Sequence, residues 1–262
     1  MGLFDKKYCD VCGEKIGFLG NRKLEDGNLC KHCANRLSYW FDDRRSSTVD
    51  QIKEQLAYRE ENLKKVERFN VTRMLGRDTK VVIDEDKGWF MVARTDDYME
   101  ENPDVLEFSQ VVGCDFDVDE SRGEHKRQNP EGEYVSYIPP RYYWDYDFTM
   151  NIRVKHPYFD NMRFDLNGSS VRVEPNYSNS PTTFGRLTVG NQFDPTAHPD
   201  YREYADMGSE IKALLTQIRQ NVRDSINAAN APRMSVLCPA CGATTMPDAH
   251  GRCEYCGSAV NR

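Results

Sequence analysis

Cys9-Asp10-Val11-Cys12-Gly13 and, after 17 residues that follow Cys12, Cys30-Lys31-His32-Cys33 form the stretch from which the rest of the chain can be read. A two-residue spacer lets both thiolates of a pair face one tetrahedral ion, and Gly13 supplies the tight turn of a zinc knuckle. The competing use of four cysteines is two disulfides. Eight of the nine cysteines lie in C-x-x-C pairs, which is metal-binding usage in a reducing compartment. Between the pairs Ile16, Phe18 and Leu24 alternate with polar residues, and Asp26-Gly27-Asn28 is a turn signal, so a short hairpin is expected. Ala34, Leu37, Trp40 and Phe41 then follow the second pair at helical spacing. Knuckle, hairpin and a second pair leading into a helix is the treble-clef layout.

The far end repeats the chemistry. Cys238-Pro239-Ala240-Cys241-Gly242 and Cys253-Glu254-Tyr255-Cys256-Gly257 flank an 11-residue insert, the pattern of a zinc ribbon. Two Zn2+ ions are therefore expected, one on Cys9, Cys12, Cys30 and Cys33, the other on Cys238, Cys241, Cys253 and Cys256. Four thiolates leave no coordination position for water or substrate, so both are expected to be structural.

Between the cysteine modules the periodicity changes twice. Thr48-x-x-Gln51 has the form of a capping box, and Val49, Ile52, Leu56, Leu63, Val66 and Phe69 recur on one helical face. From residue 80 to 175 the period is two. Residues 80–84 and 89–94 read as a hairpin; 105–119 carries two strands broken near Gly113; 142–155 is the longest strand. Residues 121–140 are polar, with Asn129-Pro130-Glu131-Gly132 as the turn of a projecting arm, and 162–166 with 171–174 read as another hairpin about Asn167-Gly168. Residues 176–198 read mostly as loop. Pro199 opens a second amphipathic helix carrying Tyr204, Met207, Ile211, Leu214, Leu215, Ile218, Val222 and Ile226.

The fold class is thus α+β. Its expected divisions are a treble-clef-like module over 1–45, a linker and amphipathic helix over 46–78, a β-rich core with closing helix over 79–230, and a zinc ribbon over 231–262. A run of antiparallel strands closed by one long helix is similar to a pleckstrin-homology-like barrel; the alternative is a plain α+β sheet with both helices on one face.

Charge narrows the partners. The chain has a net charge of −7, and residues 46–237 carry 24 Lys/Arg against 33 Asp/Glu. A nucleic-acid or anionic-membrane surface needs the opposite sign, so neither is expected as a partner. No run of residues approaches the length of apolar chain that a membrane span requires.

Residues 8–41, and especially Cys-Asp-Val-Cys-Gly-Glu-Lys-Ile-Gly and the run Arg22 to Cys30, resemble the DUF4428 domain. Asn102-Pro103-Asp104-Val105 and Ser136 to Tyr142 are similar to the region C-terminal to that domain in longer members of the family. The resemblance implies zinc binding by the cysteines and a bacterial, cytoplasmic setting. It implies no reaction.

No H-E-x-x-H, phosphate-binding loop, dinucleotide fingerprint or nucleophile elbow is present. Cys114 sits on the apolar side of its strand and reads as a structural thiol. Asp115, Asp117, Asp119, Glu120, Asp145 and Asp147 alternate along strands as carboxylates do on any half-solvated sheet. The expected function is a non-enzymatic, zinc-binding protein-interaction or scaffold protein with a protein partner. The alternatives are a nucleic-acid-binding zinc protein and an enzyme whose site assembles only in three dimensions.

Overall fold

The computed structural model describes residues 6–175, 193–230, 235–248 and 250–260. Most of the segment expected to be a loop over 176–198, and the linker around Pro232, lie outside them. The chain is α+β and divides into two compact units, residues 1–219 and 220–262.

The first unit begins with β1 (Arg22–Lys23) and β2 (Asn28–Leu29), paired antiparallel about the Asp26-Gly27 turn, and α1 (Lys31–Asn35). Leu24, Leu29, Cys33, Leu37, Ile52 and Leu56 make their common core. Ile52 and Leu56 belong to α2 (Val49–Glu67), whose capping box is formed: Gln51 N–H donates to Thr48 Oγ1 at 3.3 Å and Thr48 N–H to Gln51 Oε1 at 2.9 Å. Phe18, which fits the alternating apolar set in sequence, points outward at 93% exposure.

β3 (Arg73–Gly76), β4 (Lys80–Asp84), β5 (Trp89–Ala93) and β6 (Leu106–Glu107) form a four-stranded antiparallel sheet, with the short α3 (Tyr98–Glu101) between the last two. Alternation sorts its side chains. Val82, Met91 and Ala93 cluster with Val66 of α2, while Val81, Ile83, Phe90, Val92 and Leu106 join the main core. A 3-10 turn, Phe108–Gln110, then leads into a second sheet. That sheet is dominated by β7 (Val111–Gln128) and β8 (Tyr134–Val154). The strand break therefore falls at 108–110 rather than at Gly113. Gly113 lies inside β7 at a register shift, where the Arg153 guanidinium occupies the space a Cβ would need.

The expected arm over 121–140 is the outer half of this β7–β8 ladder, turning at 129–133. β9 (Asn161–Asp165) and β10 (Val171–Val173) do not pair with each other as the expected hairpin requires. Both add to the same edge of β8, β9 against 149–153 and β10 against 144–146. The cause is Asn167. Its Oδ1 accepts from Phe148 N–H at 2.8 Å and its Nδ2 donates to Asp147 Oδ1 and Ser169 O, so the side chain fills the gap on β8 while the chain steps past.

α4 (Pro199–Asn230) places Tyr204, Ile211, Leu215 and Ile218 in the main core beside Tyr146, Phe148, Met150 and Ile152. Gly208 lets it approach β7: a Cβ there would lie 2.2 Å from the Phe116 ring. Arg73–Glu210 and Arg77–Glu203 ion pairs tie the helix to β3 and its turn. The buried stripe stops at Ile218, and Ile226 is exposed.

The second unit holds the end of α4 and the paired β11 (Val236–Leu237) and β12 (Thr244–Thr245). Among the described residues no helix is long and apolar enough to cross a membrane.

Candidate metal centres

Three of the four C-x-x-C pairs are followed by glycine, and the three fold identically. Cys9 N–H donates to Glu14 O, Cys238 N–H to Ala243 O and Cys253 N–H to Ser258 O, at 2.8 to 2.9 Å; Gly13, Gly242 and Gly257 N–H return to Cys9, Cys238 and Cys253 O over the same range. The glycines have φ of 74°, 70° and 70°. Nothing lies within 4 Å of where a Cβ would stand, so glycine is selected there by the left-handed backbone and not by space. The fourth pair differs because Ala34 follows it. Cys30 is instead the N-cap of α1, its Sγ accepting from Cys33 N–H at 3.4 Å.

These turns gather the eight cysteines into two quartets, and within each every Sγ lies within 4.8 Å of the others. Cys12 to Cys30 is 3.7 Å, Cys238 to Cys256 3.6 Å and Cys241 to Cys253 3.8 Å. A tetrahedron with metal–sulfur bonds of about 2.3 Å has edges of about 3.8 Å, so each quartet could hold one metal ion of that kind. Disulfide bonding would need about 2 Å, which the separations exclude in this conformation.

The thiols pull one another apart in acidity. Burial raises Cys9, but the amides of Cys12, Cys30 and Val11 outweigh it and bring the thiol down to about 7. Cys33 is driven well above the ordinary range, first by burial and then by its neighbouring sulfurs. In the second quartet, hydrogen bonds from the Ser258 hydroxyl and amide bring Cys256 down to about 6. The Ala243 amide lowers Cys241, yet Cys256, burial, Cys238 and Cys253 together push it up to about 12. Four thiolates this close cannot all ionise alone, and a bound dication removes that conflict.

The other residues singled out in the sequence are not brought into these sites. Cys114 is buried in the main core, and burial pushes its thiol up to about 12. The strand carboxylates are largely engaged by neighbours: Asp115 by Arg153, Glu120 by the Tyr146 hydroxyl, Asp145 by Arg172, Asp147 by Asn167. Among the described residues, the two cysteine quartets are the groups that could hold a metal ion.

One cluster escapes sequence reasoning. Asp104, 1% exposed, accepts from Ser38 Oγ at 2.7 Å, Tyr58 OH at 2.9 Å and Arg59 Nη1 at 2.7 Å. Arg59 also donates to Asn102 O, and Asn62 donates to Asn102 Oδ1 and Pro103 O while accepting from Val105 N–H. This knot floors a cleft of about 630 Å³ between residues 34–40, α2 and the segment after α3. Its signal was Gln55, Arg59 and Asn62, polar residues that share the helical stripe of Ile52, Leu56 and Val66.

The molecule is therefore an α+β protein with two four-cysteine centres able to hold metal. Residues 7–55 match the family model described as Domain of unknown function (DUF4428), so the chain contains that domain from its first knuckle into the second turn of α2. No curated protein and no solved structure matches the chain.

Proposed function

We propose that the chain is a non-enzymatic interaction protein whose two cysteine quartets each hold one structural zinc ion. The four-sulfur geometry supports the metal assignment. Soft thiolates in a tetrahedron suit zinc, and with four protein ligands no position remains for a substrate.

The observation that carries the interaction reading is the pair Phe18 and Leu19, 93% and 83% exposed in the segment that joins the two cysteine pairs of the first quartet. They sit at the tip of a turn closed by Gly20 N–H donating to Gly17 O at 3.0 Å. Leu19 has φ of 62°, a left-handed conformation costing roughly 1 kcal/mol or more in a residue with a Cβ. Two large apolar side chains held out in a strained turn suit a partner protein with an apolar pocket. The net charge of −7 weighs against a polyanion as that partner.

Metal analysis of the purified chain should give two zinc ions, and fewer than two overturns the metal assignment. Co-purification from source cells tests the partner by comparing wild type with a Phe18→Ser, Leu19→Ser variant that keeps both zinc ions. Proteins lost only in the variant are expected; an unchanged set refutes the interaction reading.

A further inference from the structure

Among the described residues β7 ends its sheet, in the order β10-β8-β7, and no strand pairs with its outer side. Which backbone groups face that side is set by β8. Phe148 N–H donates to Asn167 Oδ1 and its carbonyl accepts from Leu166 N–H, whereas Lys155 N–H donates to Gln110 O. Even-numbered residues of β8 thus address β9 and β10, and odd-numbered ones address β7. With Val118 opposite Phe148 and Asp119 opposite Asp147, the odd residues of β7 are bonded to β8. The N–H and C=O of Phe116, Val118, Glu120, Arg122 and Glu124 point to the open edge, and among the described residues nothing takes them.

Soluble proteins usually block such an edge with like charges, proline or a bulge. Here β7 contains no proline, and its bulge is at the base, between Val111 and Gly113. The irregularity at His125/Lys126 comes from extra residues on β8, 137–140, so β7 itself runs on unbroken. Its charges are segregated along its length. Asp115, Asp117, Asp119 and Glu120 precede Ser121; Arg122, Lys126 and Arg127 follow it, with Glu124 the exception. A strand acidic in one half and basic in the other repels a parallel copy of itself and complements an antiparallel one.

We propose that β7 pairs antiparallel with β7 of a second copy about a two-fold axis at Ser121, joining the two sheets into one. The outward parity demands that even residues bond to even residues, and this register does so. It sets Glu120 against Arg122 of the second copy and Asp115, which also pairs with Arg153, against Arg127, each twice by symmetry. Centring instead on Glu120 or on Arg122 would place identical charges face to face. One Glu120 oxygen already accepts from Tyr146 OH, leaving the other for the pair. The pairing does not rest on the metal assignment.

The test uses the full chain with its metal. Wild type should sediment at twice 30.3 kDa. Glu120→Arg and Arg122→Glu each create two like-charge pairs and should each weaken dimerisation by roughly tenfold or more. Mixed one to one, the two variants regain opposite charges at both positions and should form a heterodimer. As a measurement free of any variant, the Phe116, Val118, Glu120 and Arg122 amides of wild type should gain hydrogen-exchange protection as concentration rises. A wild-type chain that stays monomeric at tens of micromolar, single variants that dimerise as tightly as wild type, a mixture that stays monomeric, or edge amides indifferent to concentration would each overturn the pairing.

Discussion

Asp104→Ala should be among the most damaging single substitutions outside the cysteines. The carboxylate is 1% exposed and takes three side-chain hydrogen bonds, so its removal strands groups that cannot reach water. Arg59, whose side chain is 8% exposed, would keep a buried charge without its counter-ion, at about 3 to 5 kcal/mol. The Ser38 and Tyr58 hydroxyls each lose an acceptor, about 1 kcal/mol apiece. The total of about 5 to 7 kcal/mol rivals the whole stability of many domains. Asp104→Asn keeps the shape and loses the charge, so it should cost about half as much. Arg59→Met combined with Asp104→Leu removes both charges and should cost less than the two single changes added together. Urea unfolding of the zinc-loaded chain by tryptophan fluorescence reads this directly, because Trp40 N–H donates to Ser38 Oγ beside the knot. A loss below about 1 kcal/mol for Asp104→Ala, or strict additivity in the double variant, would show that Asp104 and Arg59 do not depend on each other.

Three further outcomes are expected from side-chain environments. Gly208→Ala gains about 1 kcal/mol of helix propensity but drives a methyl into the Phe116 ring, so thermal unfolding should show a net loss of about 1 kcal/mol, relieved when Phe116→Leu is added. Burial, aided by Lys65 and Arg59 and opposed by Asp104, holds His156 down at about 4. The unfolded histidine protonates near pH 6.5, so stability present above that pH is lost as pH falls towards 4; His156→Phe should flatten that part of the stability–pH curve, and an unchanged curve contradicts the assignment. Cys114, 8% exposed and pushed up to about 12 by burial, should resist iodoacetamide after chelation while the eight quartet cysteines react, giving eight adducts in the native chain and nine on unfolding by mass spectrometry.

The features legible in the sequence are those set by local chemistry. Each C-x-x-C-G dictates its own turn, the Thr48 to Gln51 box starts α2, and strict alternation fixes the buried face of β8, where Tyr146, Phe148, Met150, Ile152 and Val154 are buried. The features that mislead depend on partners distant in sequence. Asn167-Gly168 looks like a hairpin turn, but Asn167 bonds to Phe148, 19 residues earlier. Arg59 and Asn62 lie on the apolar stripe of α2, where nothing in the neighbouring sequence pairs them, and only the return of the chain at 102–105 offsets the cost of burying them. Phe18 fits an alternating pattern and yet faces outward, because the turn that lifts it is decided by Leu19 and Gly20 rather than by periodicity.

Packing around the first quartet runs past residue 45, where composition suggests a division, into α2. The cluster around the first quartet takes Ile52 and Leu56 from that helix, both nearly fully buried, whereas Val66 at its other end packs on the first sheet. The family match runs to residue 55, so it includes Ile52 but not Leu56 among the α2 side chains that cluster with Leu24 and Leu29. A fragment ending at 45 would leave those two side chains open, losing about 3 kcal/mol or more of apolar burial that only the folded, metal-bound state enjoys. Zinc affinity measured by competition with a chelator should therefore be roughly a hundredfold weaker for residues 1–45 than for residues 1–67. Equal affinities would mean that the cysteine module folds without α2 and that the helix belongs to the β-rich core alone.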